Sequence, residues 1–231
     1  MRGGLPRLWG RSRAIGAGSL TLYVLGFSFA YVALDAGVGA LVLFGMVQLT
    51  MFGGAVASGD RPHPARWIGS GLALIGLAGL VWPGASAAPA LLAAGLMAAA
   101  GLGWGVYSLA GRGATDPLKD TAANFLCASP LALIVWFLLP DRITAEGAVL
   151  AVVSGVLTSG LGYALWYSLL PRLEATVAAL TQLTVPVIAV AGGVVFLAEP
   201  LTLRVALASA VILGGVAYGI LGQRRIDSSG S

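Results

Sequence analysis

The chain has 231 residues, enough for one or two soluble domains, yet 58% of them are hydrophobic and only 10% are charged. A soluble domain needs about 25% charged residues to cover its surface, so the composition excludes one. The net charge of +4 does not indicate nucleic-acid binding, because the basic residues stand singly in short gaps between apolar runs, as they do around membrane spans.

Arg2, Arg7, Arg11 and Arg13 form a basic N-terminal segment, 1–13, ahead of the apolar run 14–34. A basic segment before an apolar one can be a signal peptide. This run has about 20 residues, the length of a span, so it reads as a retained helix. Further apolar runs follow at 37–58, 66–83, 90–110, 121–140, 147–170, 174–198 and 202–222. The breaks carry turn residues: Asp60-Arg61-Pro62-His63-Pro64, Trp82-Pro83-Gly84, Pro140-Asp141-Arg142 and Glu199-Pro200. The runs are continuous rather than alternating, so they are helices and not barrel strands. The expected fold is therefore all-α, a polytopic transmembrane bundle of about eight helices. The tail, 223–231, is polar.

Eleven Lys and Arg residues fall on one side of this arrangement and two, Arg142 and Arg204, on the other. The positive-inside rule then places both termini in the cytoplasm and the chain in an inner or plasma membrane. Cys127 lies in an apolar run with no second cysteine, and His63 is the single histidine, so neither a disulfide nor a metal site is expected. Gly101-x-Gly103-x-Gly105 sits inside a span and follows no strand, which excludes a dinucleotide loop. No Ser–Lys dyad or buried acid pair points to an enzyme.

The sequence repeats at an offset of 139 residues. Asp35-Ala-Gly-Val-Gly-Ala-Leu41 lies over Glu174-Ala-Thr-Val-Ala-Ala-Leu180, Gly53-Gly54 over Gly192-Gly193, and Asp60 over Glu199. Without a gap, 11 of 47 positions are identical between 35–81 and 174–220. The repeat equates the first three helices with the last three, in inverted orientation. Inverted repeats are common in secondary transporters, where one half rocks against the other. The fourth and fifth helices have no partner, so the chain reads as three plus five of an apparent five plus five. A late start or a shortened variant would each give that pattern.

The stretch Gly162-Tyr-Ala-Leu-Trp-Tyr-Ser-Leu-Leu-Pro-Arg-Leu-Glu-Ala-Thr-Val-Ala-Ala-Leu180 continues through Pro186-Val-Ile-Ala-Val190 and Phe196-Leu-Ala-Glu-Pro-Leu-Thr202 to Ile212-Leu-Gly-Gly-Val216. With Trp104-Gly-Val-Tyr-Ser108 and Gly111-Arg112, it resembles the EamA-like family of the drug/metabolite transporter superfamily. The resemblance covers about 14–222, with a partial first repeat over 14–83 and a second over 90–222. It departs from the family in lacking the first two of ten helices, and in Asp60 where Glu is usual. It implies a secondary carrier without a bound cofactor, an exporter of small organic metabolites or drugs. Its cavity would be lined by the first, second, fourth, sixth and seventh helices. The alternative is a non-transporting membrane protein whose helices only associate.

Candidate cavity residues are the polar and aromatic groups at membrane depth. Tyr163, Trp166 and Tyr167 share one helical face, as do Trp104, Tyr107 and Ser108. An interfacial aromatic belt accounts for the same spacing. Gln48 and Thr50, with Thr181 and Gln182, must bond across helices or face a wet cavity. Thr184 and Asn124 belong to the same class. Pro186 is a kink or hinge. Gly101-x-x-x-Gly105, Gly155-x-x-x-Ser159 and Gly215-x-x-x-Gly219 are small-residue seams, suited to bundle contacts or to a homodimer. The expected partners are the lipid bilayer and a small-molecule solute, with no nucleic acid.

Overall fold

A computed structural model describes residues 10–59, 61–82, 90–111, 116–139, 143–162, 165, 169 and 175–227, with side chains described outside 175–183 and 223–227. Among the described residues all regular structure is helical. The helices are α1 (Arg11–Ala30), α2 (Ala36–Ala57), α3 (Pro64–Val81), α4 (Leu91–Ala110), α5 (Pro117–Leu138), α6 (Ala145–Val153), α7 (Ala175–Leu197) and α8 (Leu203–Asp227). A π-helical stretch, Ser154–Leu161, continues α6. Six of these helices (α1 to α5 and α8) are long and apolar enough to cross a bilayer. The polytopic helical bundle expected from the sequence is the observed architecture.

Several ends differ from the apolar runs. Helix α1 begins at Arg11 and stops at Ala30, short of residue 34. Arg13 stays inside the helix because its charge is met: it pairs with Asp120 at 2.8 Å and donates to Asn124 Oδ1 at 2.7 Å. Helix α5 begins at Pro117 rather than 121, since Pro fits the first turn and the Asp116 carboxylate caps the Lys119 N–H. The lysine's hydrogen bonds and charge in turn hold the exposed Asp116 carboxyl below its usual range.

Helix α2 sits at the centre and touches α3, α4, α7 and α8, while α1 packs along α4 and α5, and α3 along α8. Small residues set these approaches. A Cβ on Gly69 of α3 would lie 2.4 Å from the Gly215 carbonyl oxygen of α8. One on Gly101 of α4 would lie 2.7 Å from the Leu43 carbonyl oxygen of α2. Backbones this close gain dispersion contact that bulkier residues would forbid, which drives helix association in lipid. Leu20, Leu41, Leu80, Met97 and Ile212 fill the interior as fully buried side chains.

The 139-residue offset recurs in the positions of the helices. Helices α2 and α3 stand 139 residues before α7 and α8, and the starts Ala36 and Pro64 fall over Ala175 and Leu203. The turns after α2 and α7 both use positive φ, 85° at Gly59 and 53° at Ala198. The α2–α3 contact has its counterpart in α7–α8. In the same register α6 with its continuation corresponds to α1. Helices α4 and α5 cover α1, but no residue of α6 or of the π-helical stretch is buried.

Candidate functional site

Two features meet at the end of the bundle opposite the start of α1 and the end of α8. The first is a carboxylate bridge between the repeats. The left-handed turn at Ala198 lets the Glu199 N–H donate back to the Gly193 carbonyl at 3.0 Å. The Glu199 side chain then folds under α7 toward the start of α2. Its Oε1 accepts from the Ala36 N–H at 2.5 Å and its Oε2 from the Gly37 N–H at 3.1 Å. These are first-turn donors of α2 that no intrahelical carbonyl can satisfy. Asp35, the N-cap residue, makes no side-chain cap, so the cap comes from 163 residues away. Negative charge at a helix N-terminus is favoured by the helix dipole as well.

Two glycines make room for this bridge. A Cβ on Gly193 would lie 2.1 Å from Glu199 Oε2, and one on Gly37 would lie 3.0 Å from the Val190 Cα of α7. Pro186 lies one turn before Val190 and is fully buried. The kink candidate is therefore held inside the bundle, close to where α7 crosses α2.

The second feature is an aromatic wall. Tyr23, Phe27 and Tyr31 follow one another at four-residue spacing along α1 and its C-terminal turn. Ring centroids are 5.6 Å apart for Tyr23–Phe27 and 4.6 Å for Phe27–Tyr31. Trp104 of α4 extends the line, 4.9 Å from Tyr23 and stacked 5.5 Å from Tyr107. The Tyr31 hydroxyl donates to the Ala36 carbonyl at 3.2 Å, so the wall ends on the peptide that Glu199 caps. At its other end the Tyr107 hydroxyl bonds the Thr121 hydroxyl at 2.8 Å. Tyr23, Phe27, Tyr31 and Trp104 are half-buried, while Tyr107 is buried.

The sequence candidates separate in space. Trp104 and Tyr107 belong to the wall. Thr50 packs on Gly105 and donates to the Met46 carbonyl at 2.8 Å, which places it in the α2–α4 contact. Gln48 lines a different cavity, between α2, α3 and α8. Tyr163, Trp166 and Tyr167 lie outside the described residues, and Thr181 and Gln182 outside the described side chains. Gly101 and Gly105 meet α2, and Gly215 meets α3, whereas Gly155 has open space beside it. Reading the sequence for chemistry missed Tyr23, Phe27, Tyr31 and the bridging role of Glu199. The four-residue spacing of the three aromatics was the available signal.

No metal-ligating cluster occurs among the described residues. The assembled groups offer aromatic faces, hydroxyls and one carboxylate.

The EamA-like transporter family matches residues 91–220, from α4 into α8. An uncharacterized protein of Pseudomonas aeruginosa is 48% identical over 204 residues, spanning 87% of this chain and 71% of the relative. An uncharacterized transporter of Archaeoglobus fulgidus is 36% identical over 83 residues, 34% of this chain and 30% of its own length. A protein of known crystal structure superposes with a TM-score of 0.64 at 25% identity, covering 93% of this chain and 77% of the other.

Proposed function

The chain belongs to the EamA-like transporter family, and on that basis we propose that it is a secondary carrier working by alternating access. It exports small organic metabolites or drugs across the cell membrane, with both termini in the cytoplasm. The observation that carries this reading is the Glu199 bridge. It joins the α7–α8 turn of one repeat to the start of α2 in the other through two hydrogen bonds, at the rim of the packed α2–α7 contact. A contact of that kind can open and re-form without unfolding a helix. Related repeats that meet at such contacts suit a rocking motion of one half against the other.

In this reading the described conformation is closed at the end away from the start of α1 and the end of α8. The solute path follows the aromatic wall, Tyr23, Phe27, Tyr31 and Trp104, with Tyr107 at its inner limit. Tyr163, Trp166, Tyr167, Thr181 and Gln182 are further candidates for this path on sequence grounds. The carboxylate described inside a candidate span, Asp120, is already paired with Arg13, which favours neutral or zwitterionic solutes held by ring faces and hydroxyls.

The test is accumulation of a solute panel, drugs included, in cells expressing the full chain, with membrane insertion checked in parallel. Transport predicts lower accumulation of at least one solute, restored to the control level by Glu199→Ala. A well-inserted chain that changes the accumulation of no solute would leave the helix-association reading in its place.

A further inference from the structure

We propose that a second cavity, between α2, α3 and α8, is a binding site for an anionic lipid headgroup. The cavity measures about 140 Å³ and lies away from the aromatic wall. Three polar side chains line it: Gln48 of α2, and Arg66 and Ser70 of α3. None of the three makes a side-chain hydrogen bond or ion pair to another described residue. A polar group at membrane depth without a protein partner is satisfied by water or by a ligand. Three such groups lining one cavity can all serve one polar occupant.

The charge of that occupant follows from the lining. Arg66 contributes the single charge, and no carboxylate lines the cavity. Arg66 is in the first turn of α3, whose N-terminal dipole adds to its field. Arg66 and Ser70 are one helical turn apart and share a face, so both can donate to one phosphate group. Gln48 lies nine residues before the end of α2, roughly 13 Å below it at the rise of an α-helix. Its amide is placed to donate to the ester carbonyl below a headgroup. Met51, Phe52 and Ile220 supply an apolar lining for acyl chains. Trp67 is 55% exposed and stands edge-on to Phe52 at 4.9 Å, which marks this level as the bilayer interface. Basic pockets between spanning helices on the cytoplasmic side are suited to anionic headgroups.

This inference requires membrane insertion only, so it survives if the transport reading fails. The experiment is native mass spectrometry of the delipidated full chain, titrated with phosphatidylglycerol, phosphatidylcholine or inorganic phosphate. One phosphatidylglycerol should bind saturably and roughly fivefold more tightly than phosphatidylcholine, whose choline cation offsets its phosphate charge; this is the scale of one basic residue facing a net anionic lipid. Arg66→Ala should abolish that preference and Arg66→Lys should keep part of it. Ser70→Ala and Gln48→Leu, which leave the helix contacts intact, should each weaken binding a few-fold. Equal binding of the two lipids, or an unchanged preference in folded Arg66→Ala protein, would overturn the site. Displacement of the lipid by millimolar phosphate would overturn the lipid assignment in favour of a dissolved anion.

Discussion

Gly59 and Ala198 stand 139 residues apart and both hold a left-handed backbone, with φ of 85° and 53°. The turn that follows α2 is thus repeated after α7, although only the first copy uses glycine. Ala198 adopts a conformation costing a residue with a Cβ about 1 kcal/mol or more. The turn persists because it delivers Glu199 to α2.

Ala198→Gly should therefore stabilise the protein by up to about 1 kcal/mol, the relief of left-handed strain less the added freedom of the unfolded chain. Gly59→Ala should destabilise it by a similar amount. Denaturant unfolding in mixed micelles measures both. A destabilised Ala198→Gly variant would show that the alanine methyl makes a contact worth more than the strain.

Gly193→Ala should reproduce Glu199→Ala in the solute-accumulation assay. The added methyl occupies the space of Glu199 Oε2, so the carboxylate must leave the Ala36 and Gly37 N–H groups. Combining the two substitutions should add little, because both remove the same contact. Full additivity would mean that Gly193 acts elsewhere.

The Tyr107–Thr121 bond ties the inner end of the aromatic wall to α5. Tyr107→Phe should cost about 0.6 to 1.5 kcal/mol, the range for interhelical hydrogen bonds in membrane proteins. Thr121→Val should cost about the same, and the double variant little more than either. A double-mutant cycle of unfolding free energies reads this directly.

Gly69→Ala should separate α3 from α8, since a Cβ there meets the Gly215 carbonyl oxygen and the Gly219 Cα. Overpacking of this kind costs about 1 to 3 kcal/mol. The loss should appear as a lower thermal midpoint with helix content retained. Gly71→Ala, on the open face of the same helix, should be neutral or slightly stabilising.

Much of the fold is legible in the chain, because a spanning helix must be apolar along its whole length. The ends are less legible where charge enters the helix. Hydropathy starts α1 after Arg13, but Asp120 and Asn124 let that arginine stay inside it. Hydropathy also carries α1 through Tyr31 to Leu34, where the chain in fact turns. The site was partly legible. Trp104 and Tyr107 stand out as a helical pair, while Tyr23, Phe27 and Tyr31 read as ordinary apolar residues of a span. Glu199 reads as a turn acid beside a proline. Its partners are backbone groups 163 and 162 residues away, and backbone N–H groups leave no trace in a sequence.

The central claim is that the start of α2 and the end of α7 part and rejoin as the carrier works. Distance measurement between spin labels at the exposed positions Asp35 and Leu201, with Cys127 replaced by Ser, tests it most directly. The account predicts two distance populations, with Glu199→Gln shifting weight to the longer one. A single short distance, unchanged by Glu199→Gln, would contradict it.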